Sequence, residues 1–173
     1  KDAKNLVDII HGNAVLPVTA GFAHGTYTSD VSDYVIGWIL GVEWSPAFVH
    51  NTNANNASRN SYSGIFLYTA PEASPFETFL CESGEKIIEY ESEKYNIGRP
   101  LSYTNWLTTD PLTHSNEPDP AKEDAEVVNT ENIKATVRFT PGMFASYHIY
   151  PYYPEFMNYQ EEYLATGDPY RAY

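Results

Sequence analysis

VIGWILGV, residues 35–42, is the stretch that decides the predicted fold, and Glu43 and Trp44 follow it directly. Every residue in this stretch is apolar or glycine, a pattern typical of a strand that is buried on both faces, as in a parallel sheet covered by helices. The polar Glu43 ends the apolar run. The segment therefore predicts a buried parallel strand whose carboxyl end carries a carboxylate.

Helices and strands are predicted on both sides of this segment. Ser74, Pro75 and Glu77 have the N-cap, N1 and N3 residue types of a capping box, which predicts a helix that continues to the stop at Asn96-Ile97-Gly98. By composition and period we further predict helices over 2–11 and 130–136, strands over 101–107 and 143–150, and loops over 17–33, 51–63 and 108–128. The alternation of helices and strands predicts βαβ units and a parallel sheet.

Length and composition limit the classes of function. The chain has 173 residues, 42% of them hydrophobic, which suits a single domain spanning 1–173. Because it begins at Lys1 without an initiator Met, we expect it to be a piece of a longer protein. The net charge of −13 argues against nucleic acid as a partner, and no apolar stretch is long enough to predict membrane contact from this segment. Cys81 is the only cysteine, so it predicts neither a disulfide nor a Cys-x-x-Cys motif.

Candidate site residues follow the ends of the predicted strands, the edge at which α/β proteins bind their ligands. Glu43 lies beside Trp44, and a carboxyl next to an indole in a partly apolar pocket tends to have a raised pKa, which suits a general acid. Alternatively, Glu43 caps the turn at Ser45 or pairs with a cation. Glycoside hydrolysis needs such an acid and a second carboxylate.

Aromatic and polar residues at the same strand ends are candidates for substrate binding. Flat rings can stack against sugars, and amide or imidazole groups can hydrogen-bond their hydroxyls; the alternative for each ring or histidine is a structural role. The predicted substrate-binding residues are Trp44, Asn105, Trp106, His148, Tyr150 and Tyr152, with Tyr153 as a further aromatic at the third strand end.

Other chemistries lack their motifs. The sequence has no Gly-x-Gly-x-x-Gly run, no Walker-type loop, no Gly-x-Ser-x-Gly elbow and no histidine pair at zinc-ligand spacing, so we predict no metal site and no cofactor. The acidic loop carries Asp119, Glu123 and Asp124, which suit calcium chemically, but a solvated charged loop is the favoured interpretation.

The segment from Val35 to Trp44 resembles the fourth-strand motif of clan A glycoside hydrolases, an apolar strand that ends in Asn-Glu. Residues 144–151 resemble their sixth strand, which often presents His or Tyr to the sugar, and 99–106 would be the fifth. The resemblance implies a parallel-stranded (β/α)8 TIM barrel similar to that of bacterial family 2 hydrolase-like proteins. The 173 residues would form an incomplete barrel, from about the third helix through the sixth strand and its following loop.

By this resemblance Glu43 is the catalytic acid/base of a retaining glycosidase, the partner is an oligosaccharide or polysaccharide, and the location is extracellular or at the cell surface. Two features depart from the family: Val42 occupies the position of the usual Asn, and the nucleophile is expected after Tyr173. Val42 favours a second hypothesis, a non-catalytic carbohydrate-binding or structural module of a larger surface protein. A third is a small, complete α/β domain that binds another ligand.

Overall fold

The computed structural model describes residues 2–148 together with 150 and 159. The α-helices are α1 (Asp2–Ile10), α2 (Pro46–Asn55), α3 (Pro75–Tyr95) and α4 (Pro120–Glu123). The strands are β1 (Ala14–Leu16), β2 (Gly25–Tyr27), β3 (Trp38–Leu40), β4 (Leu67–Thr69), β5 (Leu101–Trp106), β6 (Ile133–Ala135) and β7 (Ser146–His148). Single 3₁₀ turns occupy Ser32–Tyr34, Leu107–Thr109 and Thr130–Asn132. Among the described residues, no helix has both the length and the apolar character needed to cross a membrane.

The described strands form three small sheets, so the prediction of a (β/α)8 barrel is wrong. β3, β5 and β7 form a parallel sheet in the order β3-β5-β7, whereas β1-β2 and β4-β6 are antiparallel pairs. Only three of the seven described strands are therefore parallel to one another in one sheet. The segments between the parallel strands are used partly for antiparallel pairing, which a barrel of repeated βα units would not allow.

The apolar run at residues 35–42 forms a much shorter strand than predicted, and it is buried on one face. Trp38 is buried and donates its indole N–H to Glu91 Oε2 at 2.7 Å, while the next residue, Ile39, is 57% exposed. Gly41 ends the strand with φ +121°, and a Cβ there would lie 2.3 Å from Trp44 Cζ2. Glycine is thus required at this turn, both by conformation and by the close approach of the Trp44 ring.

Helix α3 packs against the parallel sheet and organises the core. Its predicted capping box is confirmed, because Glu77 N donates to Ser74 Oγ while Ser74 N donates to Glu77 Oε2. The apolar face of α3 joins residues from α1, β3, β4 and β5 in one core cluster. Gly84 lies mid-helix where a Cβ would meet the hydroxyl of Tyr103 at 2.1 Å, so close helix–sheet packing explains the glycine.

The other predicted elements have mixed outcomes. The helix at the start of the chain and the strand at 101–107 are confirmed as α1 and β5. The predicted helix at 130–136 is wrong, because it consists of a 3₁₀ turn followed by β6. The predicted strand at 143–150 is described only at Ser146–His148, and the loop at 51–63 begins inside α2.

Candidate active site at the carboxyl edge of the parallel sheet

The carboxylate of Glu43 lies at the carboxyl edge of the β3-β5-β7 sheet. Parallel pairing aligns Leu40 with Tyr103 and Trp106 with His148, and Glu43 follows the end of β3 by three residues. The Tyr150 hydroxyl donates to Glu43 Oε1, and His148 Nδ1 lies 3.2 Å from the same oxygen. The side chain of Glu43 is still 41% exposed, so a ligand can reach it.

Trp106 packs against both residues that bind the Glu43 carboxylate. Its ring meets His148 nearly edge-on at 6.2 Å between centroids, and Tyr150 at 5.8 Å in the same manner. Such edge-to-face pairs contribute about 0.5–1.5 kcal/mol beyond burial and fix the angles of the rings. The structure therefore brings together four of the predicted site residues: Glu43, Trp106, His148 and Tyr150.

The pKa of Glu43 is shifted in the direction opposite to the one expected from the sequence. The hydrogen bond from the Tyr150 hydroxyl, followed by that from His148, holds the pKa of Glu43 below its usual value, and the same bond raises the pKa of Tyr150. A donor that favours the ionised form outweighs desolvation here because the carboxylate is exposed. The expected raised pKa next to Trp44 is wrong, since the Trp44 ring turns into the core and does not enclose Glu43.

Trp44 and Asn105 have mainly structural contacts. Trp44 is buried, donates Nε1–H to the Thr104 carbonyl at 3.3 Å and packs edge-on against Phe76, although part of it lines the cleft described below. Asn105 lies on the alternate face of β5 from Trp106, where it donates to the Ser146 carbonyl and accepts from Thr130. The structure does not bring Asn105 to Glu43. The predicted residues Tyr152 and Tyr153 lie outside the described residues.

A cleft of about 820 Å³ opens beside Glu43 and Trp106. Its walls are formed by residues 43–51, which include the first turns of α2, by the end of β5 and by residues 121–126. His148 and Tyr150 are not among the described residues that line it, so they hold Glu43 from the β7 side. The volume is within the range of small-molecule sites.

A second polar pair, His50 and Glu126, lies in this cleft and was not predicted from the sequence. His50 Nδ1 lies 2.6 Å from Glu126 Oε1, and Asn53 donates to Glu126 Oε2 at 3.3 Å. The signal that could have revealed it is Ser45-Pro46, an N-cap followed by Pro at N1, because a helix starting there places Ala47, His50 and Asn51 on one face. The pairing of Glu126 was not predicted because its partner, His50, is 76 residues away in the sequence.

The acidic loop also contains a largely buried cluster of one histidine and two aspartates, which indicates a structural role. His114 lies between Asp110 and Asp124, at 3.4 Å and 3.2 Å, and all three side chains are largely buried. Burial raises the pKa of Asp110. Within the described ranges, no group of three or more His, Cys, Asp or Glu side chains is arranged to hold a metal ion.

Comparison with protein family models, curated proteins and solved structures found no match for this chain.

Proposed function

We propose that the cleft beside Glu43 binds a saccharide and that Glu43 acts as the ionised carboxylate in hydrolysis of a glycosidic bond. The observation that carries the proposal is the Glu43 carboxylate, held by Tyr150 and His148 next to Trp106 at the mouth of the cleft. An exposed carboxylate whose pKa is lowered by two donors suits a nucleophile or a base, the second of the two roles in glycoside hydrolysis.

Two further observations support the proposal. The same cleft is lined by Glu123 and Glu126, so it contains carboxylates other than Glu43. Trp106 also lines the cleft, where the small exposed part of its side chain can contact a sugar ring. The resemblance of the Glu43 segment to clan A glycoside hydrolases is in sequence alone; it favours a catalytic carboxylate at this position, although it implies the acid/base, whereas the contacts of Glu43 favour a nucleophile or base.

A second candidate function is saccharide binding without turnover. It is favoured by Val42, which is 61% exposed and replaces the Asn expected in the resembled motif, so the hydrogen bond that Asn would give to the sugar 2-hydroxyl is missing.

The test measures hydrolysis and binding with the full-length protein. Hydrolysis is followed with 4-nitrophenyl α- and β-glycosides of glucose, galactose, mannose, xylose and N-acetylglucosamine, and binding by calorimetry with the corresponding oligosaccharides. Under the first function Glu43→Gln lowers kcat by about 10⁴-fold or more while binding remains. Retention of full activity by Glu43→Gln would overturn the catalytic role.

The matched control is Glu72→Gln, which makes the same change at an exposed glutamate before α3. We expect this variant to keep wild-type hydrolysis and binding. Binding without hydrolysis in the wild type would select the second candidate, and absence of both across the panel would overturn both.

A further inference from the structure

An ionised Glu43 leaves the departing oxygen of the substrate without a proton donor. Cleavage of an unactivated glycosidic bond needs a general acid at that oxygen. Resting on the proposed function, we propose that His50, positioned by Glu126, is the general acid of this cleft.

His50 is placed in the cleft by the same turn that positions Glu43. The chain turns at Gly41, passes Glu43 and Trp44, and enters α2 at Pro46, so Ala47, His50 and Asn51 form the helix face that lines the cleft. The side chain of His50 is 66% exposed. Because Nδ1 faces Glu126, Nε2 is the ring nitrogen through which His50 meets a ligand.

Glu126 is held in a fixed orientation. Its Oε1 lies 2.6 Å from His50 Nδ1 and its Oε2 accepts from Asn53, one helical turn further along α2. Asn53 in turn accepts from Phe76 N in the first turn of α3, so the carboxylate is tied to two helices. Glu126 is only 18% exposed, and a carboxylate on one ring nitrogen fixes the orientation of the ring.

The proposed step balances with these residues alone. The Glu43 carboxylate attacks the anomeric carbon, the bond from that carbon to the leaving oxygen breaks, and the Nε2 proton of His50 passes to this oxygen to release an alcohol. His50 is then neutral and removes a proton from water as the water attacks the glycosyl ester, which restores Glu43 and the charged imidazole. Imidazole is the side chain that exchanges protons most readily near neutral pH.

The test varies the leaving group of an aryl glycoside. A 2,4-dinitrophenolate departs without protonation, whereas a phenolate needs it. For His50→Gln we expect kcat/KM to fall about 10²–10⁴-fold on phenyl glycosides and much less on 2,4-dinitrophenyl glycosides. Glu126→Gln should give the same trend with a smaller loss and an unchanged KM, as expected of a positioning residue.

The matched control is His24→Gln, an exposed histidine between β1 and β2 that bonds to the Phe22 carbonyl. It should leave both substrates unaffected, and circular dichroism should show that each variant is folded. An equal loss on both leaving groups, or no loss, would overturn the role of His50 and leave the proposed function standing. Absence of hydrolysis by the wild type on every substrate would instead overturn the catalytic function and this role with it.

Discussion

At the scale of single residues, the ionisation of Glu43 depends on side chains far along the chain. His148 and Tyr150 are separated from it by 105 and 107 residues, and both stabilise its ionised form. The carboxylate therefore stays charged at a lower pH than an isolated glutamate. Its chemical role follows from these contacts more than from the neighbouring Trp44.

Tyr150→Phe tests this contact directly. Loss of the hydroxyl removes the largest cause of the lowered pKa, so the Glu43 pKa should rise toward its ordinary value. With a folded pKa below the unfolded one, Glu43 stabilises the fold above the unfolded pKa, and this contribution is lost as pH falls through the folded pKa. The variant should therefore lose less stability on acidification, which ¹³C NMR of the carboxyl and urea unfolding at several pH values measure.

The control for this variant is Tyr147→Phe, which removes a hydroxyl from an exposed tyrosine on the adjacent position of β7 relative to His148. It should not move the Glu43 titration. An unchanged Glu43 pKa in Tyr150→Phe would contradict the assignment of the shift to the Tyr150 hydroxyl.

The sequence predicted which polar residues follow strand ends, but not their electrostatics. His148 and Tyr150 are two residues apart, the spacing at which side chains of a strand share one face, and both contact Glu43. The direction of the Glu43 pKa shift was not predictable from the sequence, because it depends on the Tyr150 hydroxyl, which only the tertiary structure brings close. Asn105 was misplaced for a similar reason: its strand was correct, but its alternate face meets Ser146 and Thr130.

At the scale of elements, helix α3 uses buried glutamates to fix the loops around it. Glu77 accepts from the backbone of Ser74 and Asn129, Glu85 from three consecutive N–H groups at residues 65–67, and Glu91 from Trp38 and Arg99. All three glutamates are almost fully buried. Each carboxylate therefore satisfies polar groups that would otherwise be buried without partners.

Glu85→Ala should be strongly destabilising. It leaves the N–H groups of Ile65, Phe66 and Leu67 without their acceptor; the Leu67 bond is buried and the other two are partly buried, and an unsatisfied donor costs about 1–3 kcal/mol where it is buried. We expect a loss of about 3 kcal/mol or more in the free energy of unfolding, measured by urea denaturation. Glu93→Ala, at an exposed position of the same helix, should change stability by no more than about 0.5 kcal/mol. Similar values for the two variants would refute a bracing role for Glu85.

The elements that the sequence predicted well are those determined by local interactions. The capping box of α3 is formed within four residues, so Ser74, Pro75 and Glu77 sufficed to predict it. The run at 35–42 was different, because burial of both faces depends on what packs against the strand. Ile39 is exposed and Gly41 turns the chain. The strand predicted from the apolar composition was therefore longer and more buried than the observed one.

At the scale of the whole molecule, the parallel β3-β5-β7 sheet and the antiparallel pairs coexist around one core cluster. The alternation of helices and strands correctly predicted parallel pairing for three strands, but it contained no information on which strands pair with which. β4 and β6 pair although their partner residues, such as Thr69 and Ile133, are far apart along the chain, and neither was predicted as a strand in its observed position. Non-local pairing of such short strands leaves little period in the sequence.

Cys81 lies in α3 at the centre of this core and is fully buried. Burial, together with the charges of Glu85 and Glu82, raises the pKa of its thiol to about 12, so it is un-ionised and inaccessible in the folded chain. An aromatic disulfide reagent should label native protein at least about 10³-fold more slowly than protein in urea, because labelling waits for the core to open. Rapid native labelling would contradict the described burial.

The rate at which the Cys81 thiol is labelled also reports how often the core opens. Since the sequence contains a single cysteine, every labelled molecule has opened at α3 at least once, and no other position contributes to the colour released. Labelling times for ligand-free and saccharide-saturated protein would then show how occupancy of the cleft changes the rate of core opening, with the native thiol as the single labelling site.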